Sequence, residues 1–270
     1  MLSGTALTVL YRNLGYTDSE IALWTGVIVL PWSFKPLWGP FMELYKTKKF
    51  YIQFSQLACG LLFSLSVISL YTSVFFPLSV TLFFLIAFFG ATQDMAADGI
   101  YLSELSPSQQ ARYVGWQGTF YNVAKLFSNG GMVFLAGVLI PLLGDRDAWA
   151  IVLAIYALVM LLLGIYNRRV LPEQVVQQSI QSAAQVWDTL KDVMVSFFQK
   201  KHIGAGILFI VLYRFAEGQG IKIMPLFLKA SIAEGGLGLT ESTVGLLTGI
   251  YGTAAFVLGS LAAGYFVSNK

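Results

Sequence analysis

Long apolar stretches alternate with short polar stretches along the whole chain. Most of them reach the roughly 20 residues that a helix needs to cross a bilayer. The first is shorter, and we interpret it as the back half of a span. The pattern predicts an all-α polytopic membrane protein. We expect its eight spans at residues 1–10, 21–43, 50–71, 78–104, 113–140, 148–166, 203–228 and 242–267.

Proline and glycine predict local irregularities in two of these spans. The second span contains Pro31, Pro36 and Pro40, which membrane helices tolerate and which predict kinks. Lys35 lies among these prolines. The seventh span contains the sequence GQG at residues 218–220, which predicts a locally loosened helix.

One long polar region, residues 167–201, separates the sixth span from the seventh. Within it, apolar residues recur at steps of four and three from Val176 to Phe197, with glutamines and aspartates on the other side. This pattern predicts an amphipathic helix that lies either on the membrane surface or on the helix bundle. Trp187 on the apolar face suits either place, because tryptophan favours the membrane interface.

Composition supports the membrane class and excludes others. The 270 residues are 56% hydrophobic and 11% charged, whereas a soluble domain carries about 25% charged residues. The net charge of +3 is small and dispersed, so we expect no nucleic-acid partner. The one cysteine, Cys59, excludes an intrachain disulfide and a cysteine-based metal cluster. We expect no cofactor.

Basic residues gather on one side of the predicted membrane. Because positively charged loops stay in the cytoplasm, we expect that side, which includes residues 167–201, to be cytoplasmic. The other side holds Arg12, Arg146 and Lys229. The basic residues of the cytoplasmic side are Lys46, Lys48, Lys49, Arg112, Arg168, Arg169, Lys191, Lys200, Lys201 and Lys270.

A short internal repeat opens the second and the eighth span, with GYTDSEIAL at residues 15–23 and GLTESTVGL at residues 238–246. The copies lie six spans apart, which indicates two six-helix halves seen through their first eight spans. Parallel halves of six are the plan of major facilitator transporters. We expect three domains: a first bundle with an incomplete first span (1–168), a cytoplasmic linker with the amphipathic helix (169–201), and the start of a second bundle with spans seven and eight (202–270).

Two carboxylates lie inside the fourth span, in the sequence ATQDMAADGIYLSEL. Asp94 and Asp98 share one helix face because they are four residues apart. A carboxylate in hydrocarbon costs several kcal/mol, so such groups face a protein interior or a watery cavity and often belong to a substrate or proton path. The alternative is that they only pair with bases. We predict that one pairs with Lys35 or Lys125 while the other carries a proton; which one is open.

Two motifs resemble a known group of transporters. LPWSFKPLWGP at residues 30–40, and ATQD at residues 91–94 with Asp98 and Gly99, are similar to the second and fourth spans of AmpG-type muropeptide permeases and acetyl-coenzyme A transporters. The resemblance covers essentially the whole chain. It implies proton-driven import, by symport, of anhydro-muropeptides across the inner membrane for cell wall recycling.

A third motif resembles the loop signature between spans two and three of the major facilitator superfamily. Its residues, which the resemblance implies form a cytoplasmic gate, are Gly39, Glu43, Lys46, Lys48 and Lys49.

The chain departs from the family at several places. The acid of the loop signature is Glu43 rather than the usual aspartate, and its counterpart in the second half falls near Ser268, which is not acidic. If the second half uses that gate, the charge is missing there. The front of the first span and the last four spans are also missing, so we do not expect this fragment to transport by itself.

Candidates for substrate binding lie in both halves. Lys35 is placed to bind the carboxylate of an anionic substrate or to hold an aspartate ionised. Arg214 offers a planar fork for carboxylate or phosphate, although a simple ion pair with Glu217, three residues on, explains it equally well. Gln117 and Tyr121 share the Lys125 face at four-residue steps. The full set is Lys35, Gln117, Tyr121, Lys125, Arg214, Glu217 and Lys222.

Enzyme signatures are missing from the sequence, which has one histidine, His202, and no GxSxG, HExxH or phosphate-binding loop. We expect a secondary active transporter that imports an anionic amphiphilic solute with protons. The alternatives are a non-transporting receptor or signal transducer on the same fold, or a transporter of a siderophore, sugar conjugate or acyl-coenzyme A. Expected partners are a small-molecule substrate, protons and the lipid bilayer. We expect a monomer.

Overall fold

The computed structural model describes residues 5–172, 183–229, 231–239, 247 and 251–268, and these ranges contain no strand. The helices of the first part are α1 (Thr5–Asn13), α2 (Asp18–Ser33), α3 (Lys35–Tyr45), α4 (Lys48–Ser69), α5 (Phe75–Glu104), α6 (Pro107–Lys125), α7 (Met132–Leu143) and α8 (Asp145–Val170). They are followed by α9 (Ala183–Gln199), α10 (Ile203–Lys229) and α11 (Gly252–Ser268). A π-helical segment, Leu126–Gly131, joins α6 to α7.

The all-α membrane fold predicted from the sequence is confirmed. Within the described residues, four helical runs are long and apolar enough to cross a membrane: α4, α5, Pro107–Leu143 and α8. A fifth is obtained if Lys191–Gln199 and Ile203–Ala216, which are bent by 88°, count as one span. Most of the second repeat copy and the predicted start of the eighth span lie outside the described residues.

Kinks were predicted from Pro31, Pro36 and Pro40. The one at Pro36 is confirmed as a break at Phe34, between α2 and α3, whereas α2 continues through Pro31 and α3 through Pro40. Proline has no backbone N–H, and its ring clashes with the carbonyl four residues earlier, so Pro36 cannot continue the helix from Trp32. The residue before a proline is also disfavoured in a helix interior. The chain therefore starts a new helix at Lys35, and Pro36 stands in its first turn, where an N–H is not needed.

The helix α10 differs from the prediction for the seventh span. It remains α-helical from Ile203 to Lys229, through the GQG sequence at residues 218–220. The predicted loosening of the seventh span at these glycines was therefore wrong. Glycine lowers helix propensity by only about 1 kcal/mol, and α10 provides hydrogen bonds on both sides of the glycines.

The chain divides into two compact units. The first contains Met1–Gln110 and Phe120–Gln181, and the second contains Ala111–Thr119 and Ser182–Lys270. The three domains expected from the sequence remain a prediction.

In the first unit, α4 packs against both α5 and α8. Trp149 of α8 and Phe63 of α4 are buried in the core, together with Phe83 of α5. At one end of this core the hydroxyl groups of Tyr11 and Ser79 are hydrogen-bonded at 3.0 Å, which ties α1 to α5. This packing fixes α5, the helix that carries both candidate aspartates.

In the second unit, the start of α6 crosses α11 at very short distance. A Cβ atom added to Gly115 would lie 2.4 Å from the carbonyl oxygen of Ser260, and one added to Gly264 would lie 3.1 Å from that of Ala111. Small residues are what allow two membrane helices to approach so closely.

Close approach of α4 and α8 yields a stability prediction. A Cβ added to Gly60 would lie 2.6 Å from Cγ of Leu161 and 3.2 Å from the carbonyl oxygen of Ala157. We expect Gly60→Ala to destabilise the protein by about 1–3 kcal/mol, the usual cost of overpacking. Thermal unfolding in detergent measures it.

Gly137→Ala is the matched control, because an added Cβ at Gly137 meets no atom within 4 Å. This variant is expected to unfold at the wild-type temperature or slightly above it, since alanine favours a helix by up to about 1 kcal/mol over glycine. Equal unfolding temperatures for the two variants would contradict the close packing of α4 on α8.

Candidate functional site

The break in the second span places Lys35 opposite α5. The Nζ atom of Lys35 forms an ion pair with Oδ2 of Asp94. The same nitrogen lies 4.2 Å from the ring centre of Trp32, in a cation–π contact. The ammonium group is therefore held between a carboxylate and the face of an indole.

Neighbouring contacts fix the two helices on each side of this pair. The indole Nε1 of Trp38 donates a hydrogen bond to Oγ1 of Thr92 at 3.2 Å, and this hydroxyl donates to the carbonyl oxygen of Phe88 at 2.9 Å. The rings of Trp38 and Phe88 lie 4.7 Å apart. These bonds anchor α3 to α5 beside the Lys35–Asp94 pair.

The ion pair remains accessible. The side chain of Lys35 is 21% exposed and that of Asp94 is 46% exposed. A pair that is half open to its surroundings can exchange its partners for a proton or for another ion, whereas a sealed pair is a structural element. The predicted pairing of one aspartate with a first-half lysine is thus observed for Asp94 and Lys35.

Asp98 has a different setting. Its side chain is exposed, and it lies near the end of α5, a helix of 30 residues. Such a helix is about 45 Å long, which exceeds the roughly 30 Å hydrocarbon core. The side chain of Lys48, at the start of α4, packs over the adjacent Gly99, where an added Cβ would lie 2.7 Å from its Cε. Asp98 therefore lies level with the basic start of α4.

The candidate gate residues lie on α3 and around the start of α4. A Cβ added to Gly39 would lie 3.4 Å from Sδ of Met95, so α3 passes close to α5 here. Lys46 lies 5.8 Å from the ring of Phe50, and Lys49 is in the first turn of α4. The side chain of Glu43 is outside the described residues. The gate remains a prediction.

The other substrate-binding candidates lie on α6 and α10. Gln117, Tyr121 and Lys125 lie along α6 with exposed side chains, and Lys125 directly precedes the π-helical segment. Arg214 is exposed on α10. The side chains of Glu217 and Lys222 lie outside the described residues. Their assignment to substrate binding remains a prediction.

Two features were not found from the sequence. The first is the contact of Trp32 with Lys35, which depends on the break between α2 and α3. The second is the π-helical segment Leu126–Gly131, whose signal is the SNGG sequence within an otherwise apolar span. The hydroxyl of Tyr156 donates a 2.6 Å hydrogen bond to the carbonyl oxygen of Ser128 in this segment. Such segments recur at functional sites.

An open polar cleft lies at the loops that join α1 to α2, α4 to α5, and α7 to α8. Its volume is about 680 Å³, and it is lined by Asn13, Leu14, Gly15, Tyr71, Leu143, Gly144, Asp145, Arg146 and Asp147. The hydroxyl of Tyr71 donates a 2.6 Å hydrogen bond to Asp147, which raises the pKa of that phenol because the carboxylate stabilises its protonated form.

Comparison with known proteins finds similarity to a named transporter. The chain is 21% identical, over an alignment of 294 positions, to a protein of Rickettsia conorii named "Putative transporter AmpG 4". The alignment covers 100% of this chain and 66% of that protein, so the chain spans just under two thirds of its length. This similarity supports a transporter role. No protein-family model and no solved structure matches the chain.

Together, the apolar helices and this similarity support a membrane-embedded protein with a role in transport.

Proposed function

We propose that this chain belongs to a proton-coupled secondary transporter of the major facilitator type, which imports an anionic amphiphilic solute across the inner membrane. The observation that carries the proposal is the accessible Lys35–Asp94 ion pair at the break of the second span. The similarity to a protein named as an AmpG transporter favours anhydro-muropeptide as the solute. Small-molecule substrate, protons and bilayer are the proposed partners, without enzyme activity.

In this proposal, the Asp94 carboxylate and a carboxylate of the substrate alternate as the partner of Lys35. In the empty transporter the Asp94 carboxylate neutralises Lys35. When a proton from the cavity binds to Asp94, the carboxyl becomes neutral and no longer competes for the ammonium group. Lys35 then binds a carboxylate of the substrate, while the Trp32 ring keeps the ammonium in place through the cation–π contact. Loss of the proton on the cytoplasmic side restores the pair and releases the substrate.

The sequence-based prediction gives the proton to the aspartate that does not pair with the lysine; we instead place it on Asp94, the partner of Lys35, rather than on Asp98. A coupling carboxylate must gain a proton in one state and lose it in the other, which requires a nearby cation that can leave. Lys35 fulfils this condition for Asp94. Asp98 is exposed and lies near the end of α5, level with Lys48 at the basic start of α4.

The remaining parts follow from this scheme. Glu43 with Lys46, Lys48 and Lys49 would close the cytoplasmic side, and the loop before α9 would be cytoplasmic because its flanks are basic. Gln117, Tyr121, Lys125, Arg214, Glu217 and Lys222 stay candidates for contacts with the rest of the solute.

Uptake into proteoliposomes tests the proposal. The protein that carries this chain is reconstituted, and a labelled anhydro-muropeptide is supplied outside. With an imposed gradient, acidic outside, the solute is expected to accumulate inside above its external concentration, and a protonophore is expected to abolish the accumulation. A receptor on the same fold would bind the solute without accumulating it. Binding without accumulation would therefore contradict the proposal.

A further inference from the structure

The helices α9 and α10 meet at a sharp corner. The stretches Lys191–Gln199 and Ile203–Ala216 are bent by 88° relative to each other. His202, at the corner, has a φ of 64°, a left-handed conformation that residues other than glycine adopt rarely. The helix α10 contains 27 residues, so it is about 40 Å long and exceeds the roughly 30 Å core of a bilayer. If α10 crosses the membrane, α9 runs along its surface.

One face of α9 presents large apolar side chains. Trp187, Met194 and Phe198 follow each other at steps of seven and four residues, so they lie on one stripe of the helix. Their exposed fractions are 70%, 52% and 59%. Phe197, at the margin of this stripe, is also exposed. We call the surface formed by these four residues the apolar face of α9.

The charges of α9 are divided between its two sides. Lys191 lies four residues after Trp187 and seven before Phe198, so it shares their stripe. Asp192 lies on the opposite side, where polar residues accumulate, and Asp188 lies at the boundary between the two sides. Lysine stems cover apolar surface while the ammonium reaches towards polar groups. The cation of α9 is therefore on the apolar side, and neither acid shares its stripe.

We propose that α9 is an interfacial helix that inserts its apolar face into the adjacent bilayer leaflet and binds anionic lipid headgroups through Lys191, together with Lys200 and Lys201 at the corner. Two observations select lipid as the occupant of this face. The right angle between α9 and α10 directs α9 along the membrane surface. The lysine within the apolar stripe suits an acidic headgroup layer directly above hydrocarbon.

A protein partner would fit the same face less well. An unpaired ammonium group is costly in a buried interface, and this stripe carries Lys191 one turn after Trp187. Tryptophan and lysine together are the residues that anchor helices at the membrane–water boundary. The proposal depends on α10 crossing the membrane and does not depend on transport.

Nitroxide labels on opposite faces of α9 test the proposal. The protein is freed of its own cysteines, including Cys59, and single cysteines are introduced by Met194→Cys and Asp192→Cys. Phe198→Cys and Ser196→Cys form a second pair, in case one variant of the first does not fold. In liposomes containing phosphatidylglycerol, electron paramagnetic resonance measures collisions of each label with oxygen, which concentrates in lipid, and with a water-soluble nickel chelate.

We expect the labels at 194 and 198 to collide mainly with oxygen, and those at 192 and 196 mainly with nickel. Each other result overturns the proposal. Nickel access on both faces would place α9 in water, and low access of both reagents at 194 and 198 would place its apolar face against protein. Oxygen access on both faces would make α9 part of a broken span inside the membrane.

The lipid charge is tested separately. When phosphatidylglycerol is replaced by phosphatidylcholine, we expect the oxygen-to-nickel collision ratio of the label at 194 to fall several-fold, because the label becomes more exposed to water. We expect Lys191→Gln to remove most of this dependence on lipid charge. Ser196→Gln is the control, since Ser196 is exposed and its hydroxyl bonds only to the Val193 carbonyl within the same helix. An oxygen-to-nickel ratio that does not change with lipid charge in the wild type would overturn the assignment of anionic headgroups.

Discussion

Asp94→Asn is expected to abolish accumulation of substrate against its concentration gradient, while exchange of substrate across the membrane continues. Asparagine resembles the protonated carboxyl in shape but cannot take up or release a proton. In this variant Lys35 remains available to the substrate and stays in contact with the Trp32 ring, so binding persists. The measurements are proton-driven uptake and counterflow in proteoliposomes.

Asp98→Asn is the informative comparison, because it changes the same group four residues along the same helix. We expect it to accumulate substrate nearly as well as the wild type. If instead Asp98→Asn stops accumulation and Asp94→Asn does not, the proton is carried by Asp98 and the Lys35–Asp94 pair is structural. If both variants concentrate substrate normally, neither aspartate couples protons.

Folding must be separated from coupling in these variants. Removing one partner of a fully buried ion pair costs about 3–5 kcal/mol. We expect a smaller loss for Asp94→Asn, since 21% of the Lys35 side chain and 46% of the Asp94 side chain are exposed. The charge swap Lys35→Asp with Asp94→Lys provides the control, because it keeps an ion pair between α3 and α5. It should fold normally and fail to transport.

Lys35→Gln is expected to weaken substrate binding. A hydrogen bond to a charged group contributes about 1.5–3 kcal/mol, so the apparent affinity should fall roughly 10- to 100-fold. Binding is measured by isothermal titration with the purified protein. Arg12→Gln removes a positive charge from the exposed end of α1 and should leave the affinity unchanged. An unaltered affinity in Lys35→Gln would show that this ammonium does not contact the substrate.

Much of the fold could be predicted from the sequence, because a membrane-spanning helix requires a long apolar run and proline interrupts it. Uninterrupted apolar runs predicted α4, α5 and α8 within a few residues at each end. The prolines predicted the interruption in the second span, since proline removes a backbone donor wherever it stands. The loosening predicted from the GQG sequence at residues 218–220 was wrong, because glycine only weakens a helix and the hydrogen bonds of neighbouring residues maintain α10.

The site was predictable in its chemistry and not in its pairing. The presence of charged residues in apolar runs predicted a functional role for Lys35, Asp94 and Asp98. Which aspartate meets the lysine depends on how α3 starts again after Phe34 and on its anchoring to α5 through Trp38, and neither can be read from spacing. The Trp32 contact depends on the same break, because Trp32 and Lys35 lie on different helices.

Proton uptake that accompanies substrate entry tests the coupling by Asp94 most directly. Proteoliposomes with a pH-sensitive dye in the external medium receive substrate without an imposed pH gradient. We predict that wild-type protein makes the external medium more alkaline as substrate enters, and that Asp94→Asn admits substrate down its gradient without this change. Equal alkalinisation by the two proteins would contradict the assignment of the coupled proton to the Lys35–Asp94 pair.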